Sequence, residues 1–226
     1  MDFKHIKGLS RNSILEKAFR SNHLTGLKPK VIPLNVEGVP QRINIVVHDF
    51  KQCMYSLLMD KNLMKPENLL LSENHDLSFT NHPEKQKVLD DIDTGKCYQM
   101  AYEEYIKDET KELLCPIIFF IDKTHTDING RLCLEPVQFT LGIFNRETRS
   151  KASAWRTLGY IPEIPKIHNE KPGDRLQAYH DVLSCIFYSF EYSQHSPIIW
   201  EFEMSNHSKI YLALKIPVMF IIGDKE

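Results

Sequence analysis

The second half of the chain alternates apolar runs with polar interruptions in a way that predicts strands around one helix. Two continuous apolar runs, residues 113–122 and 209–224, each close with an aspartate and are typical of buried central strands. Between them, residues 132–144 and 155–161 predict two further strands, and apolar positions at helical intervals predict a helix over residues 175–193. The order strand, strand, strand, helix, strand favours a mixed sheet with helices packed on it.

The first half is less regular. Helical spacing predicts a short helix over residues 12–21, residues 44–60 predict a strand or turn that leads into a helix, and residues 96–113 predict an amphipathic helix. Tyr98, Tyr102 and Tyr105 share one face of that last helix, and we interpret them as packing residues rather than a platform for bases. We therefore predict a mostly helical and irregular accessory region over residues 1–110 and a separate strand-rich domain over residues 111–226.

Composition places the chain among soluble globular proteins. Of its 226 residues, 42% are hydrophobic and 26% are charged. The net charge of -2 lacks the overall positive charge that is typical of nucleic-acid-binding proteins. The five cysteines are widely spaced without a C-x-x-C pair, which argues against a disulfide framework and a zinc module. With neither a signal-peptide pattern nor an apolar run of about 20 residues, we expect an intracellular, soluble protein with no membrane partner.

Asp122 and Asp224 are the candidate catalytic and metal-binding pair, since each ends an apolar run. If the two strands are neighbours, their carboxylates converge at one edge of the sheet, where a divalent cation would relieve the repulsion between them. The alternative is that each aspartate only caps a turn. His125 and Asp127 follow closely, and we treat them at most as outer contacts of such a site.

A basic stretch offers candidate contacts for nucleic acid. Arg146, Arg149 and Arg156 lie close together in sequence with Trp155 among them, a combination that could follow a phosphate backbone beside a stacking aromatic ring. The alternative is a solvated turn with Trp155 in the core.

Residues 114–163 carry a resemblance to a known family. They read LCPIIFFIDKTHTDINGRLCLEPVQFTLGIFNRETRSKASAWRTLGYIPE, in which I-D-K-T leads into E-P-V, then N-R-x-T-R, then W-R-x-L-G-Y-I-P. This succession resembles the Plavaka-like eukaryotic DNA transposases. The pieces AFRSNHLTGLKPK, DTGKCYQMAYEEYI and IIGDKE are similar to the regions that flank it in those proteins.

The resemblance implies a ribonuclease H-like fold with three acidic residues, the first two of which map onto Asp122 and Asp224. It further implies DNA strand cleavage and transfer that depend on Mg²⁺ (or Mn²⁺), transposon ends as the DNA partner, and a nuclear or cytoplasmic location. The third carboxylate of the family falls beyond residue 226. We therefore expect an α+β, or mixed α/β, chain whose ribonuclease H-like domain is incomplete, a fragment inactive on its own.

Two other interpretations remain open at the level of sequence. The chain could be a non-catalytic relative that binds nucleic acid or protein partners without cutting. It could equally be a soluble interaction protein in which both aspartates are structural. A homo-oligomer is compatible with every interpretation.

Overall fold

The computed structural model describes residues 27–70, 90–125, 133–203 and 209–223. The strands in chain order are β1 (Lys30–Leu34), β2 (Ile43–Val47), β3 (Glu112–Leu114), β4 (Ile117–Ile121), β5 (Thr124–His125), β6 (Cys133–Leu141), β7 (Arg156–Ile161), β8 (Ile198–Glu203), β9 (Lys209–Lys215) and β10 (Val218–Ile222). The helices are α1 (Phe50–Leu58), α2 (Lys96–Tyr105), α3 (Arg146–Arg149) and α4 (Asp174–His195). This composition confirms the α+β class.

The strands form a seven-stranded sheet and a three-stranded sheet. The large sheet has the order β1-β2-β7-β6-β4-β10, with β5 paired to β6 beyond the end of β4. Its pairings are antiparallel except that of β4 with β10, which is parallel. The small sheet has the order β3-β9-β8 and also contains one parallel pair, β3 with β9.

The main core lies between the large sheet and the helices α1 and α4. Helix α4 turns a stripe of small and branched side chains inward, and its Phe190 meets Phe50 of α1 and Phe119 of β4 at ring-centroid distances of 4.9 and 5.3 Å. Gly159 of β7 lets α4 approach closely, because a Cβ atom there would lie 3.0 Å from Ile186. Helix α4 confirms the prediction made for residues 175–193.

Both apolar runs that end in aspartate were expected to be single strands, and this was wrong. Each run divides at a proline, Pro116 or Pro217, and passes from the small sheet into the large one. The two runs stay side by side at the crossing, where Cys115 N–H donates to the Lys215 carbonyl at 2.7 Å and Ile117 N–H to the Pro217 carbonyl at 2.8 Å. Proline has no N–H for a regular ladder, so each strand ends there and a new one begins.

Two predictions for the first half also need correction. The helix expected over residues 96–113 ends at Tyr105, because the Lys107 and Asp108 N–H groups bond Glu112 Oε2 in a turn instead. The region expected to be mostly helical and irregular contributes β1 and β2, which extend the large sheet beside β7.

The remaining predictions for the first half have mixed outcomes. Tyr98 and Tyr102 are buried, as expected of packing residues, whereas Tyr105 at the end of α2 is 40% exposed, so its assignment as a packing residue was wrong. Residues 44–60 form a strand followed by a helix, as predicted. The short helix predicted over residues 12–21 lies outside the described residues. Among the helices that the structure describes, no segment has the length and apolarity needed to cross a bilayer.

Candidate functional site

The parallel strands β4 and β10 end at the same edge of the large sheet. Ile222 is paired with Phe120, and a Cβ atom on Gly223 would lie 2.5 Å from the Ile121 carbonyl oxygen. Asp122 directly follows β4 and is partly buried. Asp224 follows Gly223 in sequence and lies outside the described residues. The two strands are therefore neighbours, as the metal-site hypothesis requires, and the convergence of the two carboxylates stays a prediction.

Asp122 sits in a gap between two strands that share one partner. Strand β4 ends at Ile121 and β5 begins at Thr124, and both pair with β6 in the same register. This register places Asp122 opposite Pro136. The gap is therefore an interruption of one continuous ladder and not a change of strand partner.

The missing ladder bond at this gap has a simple cause. Further along the same ladder, the Gly142 N–H donates to the Pro116 carbonyl directly opposite it, at 2.7 Å. Because bonded pairs alternate along an antiparallel ladder, the register also makes Asp122 and Pro136 a bonded position. Proline has no N–H to donate to the Asp122 carbonyl. The strand therefore loses its pairing at the residue that the metal hypothesis singles out.

Replacing Pro136 by alanine is expected to close this gap. The new N–H can donate to the Asp122 carbonyl, which is worth about 0.5–1.5 kcal/mol, but the more flexible unfolded chain offsets about 0.4–1 kcal/mol of that gain. We expect little change in unfolding temperature and slower hydrogen exchange of the amides at residues 122–124. Hydrogen exchange followed by mass spectrometry or NMR measures this. Pro33→Ala, the same change in the edge strand β1, is the control, and equal exchange in both variants would contradict the explanation.

The donor chemistry at the edge fits a hard divalent cation. Carboxylate oxygens are the ligands that Mg²⁺ and Mn²⁺ prefer, and two adjacent strand ends can present one each. Asp122 makes no hydrogen bond or ion pair with any residue that the structure describes, so its oxygens are not already committed there. Within the described ranges no three His, Cys, Asp or Glu side chains group closely enough to hold a metal ion. Asp127 lies outside those ranges, and His125 is described only as part of β5.

A carboxylate near Asp122 that the sequence analysis passed over is Glu135. The hydroxyl of Tyr179 on α4 donates to its Oε1 at 2.6 Å, and burial, together with this bond, raises the pKa of Tyr179 well above its ordinary value. Glu135 precedes Pro136, which lies opposite Asp122, so strand alternation directs Glu135 and Asp122 to opposite faces of the sheet. Glu135 therefore ties β6 to α4 and adds no carboxylate to the face of Asp122.

The three arginines of the basic stretch occupy different environments. Arg146 is exposed and lines an open cleft of about 480 Å³, whose walls also include Lys96, Asp90 and Phe220. Arg149 and Arg156 are turned inward. Contact of all three with DNA stays a prediction, and Arg146 is the one whose surroundings leave the guanidinium in solvent.

Arg149 belongs to a network that fastens the N-R-x-T-R turn to distant segments. Its guanidinium bonds the Asp91 carboxylate and the Phe144 carbonyl, and the two charged side chains are only 13% and 12% exposed. The Asn145 side chain caps α3 and donates to the Glu67 carbonyl at 2.7 Å. These bonds give the turn a structural role that charge and spacing in the sequence did not reveal.

Arg156 is a buried cation, 7% exposed. Its guanidinium donates to the Ser56 hydroxyl at 2.7 Å, to the Ser56 carbonyl at 3.2 Å, and to the carbonyls of Ser153 and Trp155 at 2.6 and 2.9 Å. Burial lowers its pKa, while Asp60 acts in the opposite direction. The side chain thereby joins α1 to the start of β7.

One known protein family matches most of the chain. The family described as Plavaka transposase matches residues 28–220. No curated protein and no solved structure matches the chain. The family match covers β4 and Asp122 and ends within β10, before Gly223 and Asp224.

Proposed function

Because the chain belongs to the Plavaka transposase family, we propose that it is the part of a DNA transposase that holds the first two metal-binding carboxylates, Asp122 and Asp224. The observation that carries the proposal is the parallel pairing of β4 with β10, whose last residues are level at one edge of the sheet. The residue that follows β4 is Asp122, and the residue that follows Gly223 is Asp224. If the register continues, the two carboxylates meet.

We further propose a ribonuclease H-like arrangement for residues 111–226. It is supported by the succession of three antiparallel strands, β4, β6 and β7, then the helix α4, then β10 returning parallel to β4. Residues 1–110 are proposed as an accessory region. Since β1, β2 and α1 share the large sheet and its core, this region would act as an extension of the catalytic sheet.

The proposed chemistry divides between the metal and the chain. Bound Mg²⁺ (or Mn²⁺) activates water or a 3′-hydroxyl and stabilises an in-line phosphoryl displacement. Asp122 and Asp224 hold the ion, and Arg146 contacts a DNA phosphate. Arg149 and Arg156 act mainly by fixing the turn and the strand that carry the interface. Cleavage and transfer are proposed for the complete acidic triad, and metal and DNA binding for residues 1–226.

The partner in this proposal is DNA at transposon ends, which places the protein where it can reach chromosomal DNA, in the nucleus. Assembly into a homo-oligomer would allow two ends to be held at once and belongs to the same proposal. A non-catalytic relative that binds nucleic acid is the rival outcome of the experiments that follow.

Calorimetric titration of the 226-residue chain with Mn²⁺ tests the proposed metal site. Asp122→Asn and Asp224→Asn should each weaken the affinity by more than about tenfold, since disturbing even the outer partners of a ligand costs about that much. In EDTA the same variants should unfold at a higher temperature, because two converging carboxylates repel each other without a cation.

The matched control is Asp181→Asn on α4, whose carboxylate accepts from Gln177 at 2.8 Å on the helix surface. It should leave Mn²⁺ affinity unchanged. If the unaltered chain binds Mn²⁺ no more tightly than Asp122→Asn, the metal site is absent and the aspartates are structural. DNA binding that persists without metal affinity would favour the non-catalytic relative.

A further inference from the structure

Among the residues that the structure describes, the face of the large sheet turned away from α4 is only partly covered. Phe119 packs against α4, with Phe187 at a ring-centroid distance of 4.9 Å, so alternation turns Phe120 to the opposite face. On that face Thr140 is fully buried, and its hydroxyl donates to the Ala154 carbonyl at 2.8 Å. Phe120, in contrast, is only partly buried. The described residues therefore cover this face less completely toward the end of the sheet that carries Asp122.

The less covered part of this face presents an aromatic pair beside an amide. The rings of Phe120 and Trp155 meet edge to face, with centroids 6.2 Å apart and planes at 71°. Trp155 is held in place because its indole N–H donates to the Arg149 carbonyl at 2.7 Å. Gln138 lies directly opposite Phe120 on β6, and its amide nitrogen donates to the Thr157 hydroxyl at 3.3 Å.

These groups lie next to the proposed metal site. Phe120 and Asp122 are two residues apart on β4 and its continuation, which corresponds to about 6.8 Å along a strand and to the same face of the sheet. That spacing is comparable with the distance from a phosphate to the base of the same nucleotide. The exposed cation Arg146 lies on the turn that precedes Trp155 in the chain. A phosphate at Asp122 would therefore bring an unstacked base over the aromatic pair.

We propose that Phe120, Trp155 and Gln138 form the binding site for the base next to the phosphate that is cut. The inference rests on the proposed function and adds to it a position for a single unpaired nucleotide. Aromatic rings accept any base by stacking. The amide oxygen of Gln138 accepts no hydrogen bond from another residue that the structure describes, so it is available to a donor on the base edge. The expected ligand is single-stranded or locally unpaired DNA at the cleavage position.

Tryptophan fluorescence provides a direct measurement, since the chain contains two tryptophans, Trp155 and the buried Trp200 of the small sheet. Adding a single-stranded oligonucleotide should quench part of the emission. That part should disappear in Trp155→Phe, in which Trp200 serves as an internal reference. A duplex of the same sequence should quench the emission less, because its bases are already stacked and paired.

Affinity measured by fluorescence anisotropy gives the second readout. Phe120→Leu should weaken binding of the single-stranded oligonucleotide by about 5-fold or more, given the usual contribution of one aromatic–base stack. Phe120→Tyr, which keeps an aromatic ring at this position, should bind with the affinity of the unaltered chain. Phe187→Leu, on the α4 side of the same sheet, is the matched control and should bind like the unaltered chain. Gln138→Leu should reduce the difference in affinity between oligo(dA) and oligo(dT).

The outcomes separate the base site from the proposed function. If Arg146→Ala weakens DNA binding while Phe120→Leu binds normally, DNA binding stands and the base site is wrong. If oligonucleotides quench no Trp155 emission although they bind, the base site is wrong as well. If the unaltered chain binds neither single-stranded nor duplex DNA, the proposed function fails and this inference fails with it.

Discussion

Asp91→Ala is expected to destabilise the fold by about 3–5 kcal/mol, the range found when one partner of a buried ion pair is removed. The Asp91 carboxylate accepts from the Ile92 N–H at 2.7 Å, from the Arg146 N–H at 3.0 Å and from the Arg149 guanidinium. Its loss leaves the mostly buried Arg149 guanidinium with the Phe144 carbonyl as its one remaining hydrogen-bond partner among the residues that the structure describes. Urea unfolding followed by circular dichroism measures the change.

The same turn supplies a control for this prediction. Lys151 and Glu147 form an ion pair at 3.5 Å, but both side chains lie largely in water. Glu147→Ala should therefore cost less than about 0.5 kcal/mol, as exposed helix pairs do. The double variant Asp91→Ala, Arg149→Ala should cost less than the sum of the two single changes, because the second removes the unpaired charge left by the first. A cost below about 1 kcal/mol for Asp91→Ala would contradict the structural role given to Arg149.

Phe119→Ala is expected to cost about 3–5 kcal/mol, as truncations of buried aromatic side chains do. The ring is 1% exposed and touches Phe139, Phe187 and Phe190. Its removal would leave a cavity between β4 and α4 that the surrounding rings cannot fill without leaving their own contacts. The free energy of unfolding from urea titration is again the measurement.

The neighbouring residue is the control for this second prediction. Phe120→Ala removes the same group from a side chain that is only partly buried, so less contact is lost and the change should cost clearly less than Phe119→Ala. In DNA binding the order should reverse, with Phe120→Ala weakening affinity and Phe119→Ala having little effect at temperatures where it is folded. Equal stability losses in the two variants would mean that the faces of β4 are assigned wrongly.

Periodicity alone predicted the long helix α4 and the two strands that lead to Asp122 and Asp224, here called the acidic strands. Large apolar residues at helical intervals predicted helix α4, and three of them, Val182, Ile186 and Phe190, are buried, whereas Leu176 is exposed. The acidic strands were recognisable because a buried strand reads as an unbroken apolar run that ends at a polar residue. Their parallel pairing was only a condition of the metal hypothesis, since nothing local in a sequence specifies which strand lies beside which.

Features that depend on long-range partners could not be predicted from the sequence. An apolar run contains no mark of the sheet in which each part lies, so the change of sheet at Pro116 and Pro217 stayed hidden. Arg149 and Arg156 resembled surface cations because their partners, Asp91 and Ser56, are 58 and 100 residues away in sequence. The effect of Pro136 was hidden as well, because β6 is an interior strand and the proline acts on Asp122, which lies opposite it on the neighbouring strand.

The crossing of both acidic strands between the two sheets has a mechanical consequence. The strands leave the small sheet together, joined by hydrogen bonds on either side of Pro116 and Pro217, and the ion pair of Glu112 with Lys215 at 2.9 Å joins them again within that sheet. A twist or tilt of the small sheet would be transmitted equally to both strands. Such a motion would carry the ends of β4 and β10 in the same direction and leave their separation unchanged. A partner that binds the small sheet would therefore reorient the ends of β4 and β10 together, without changing the distance between them.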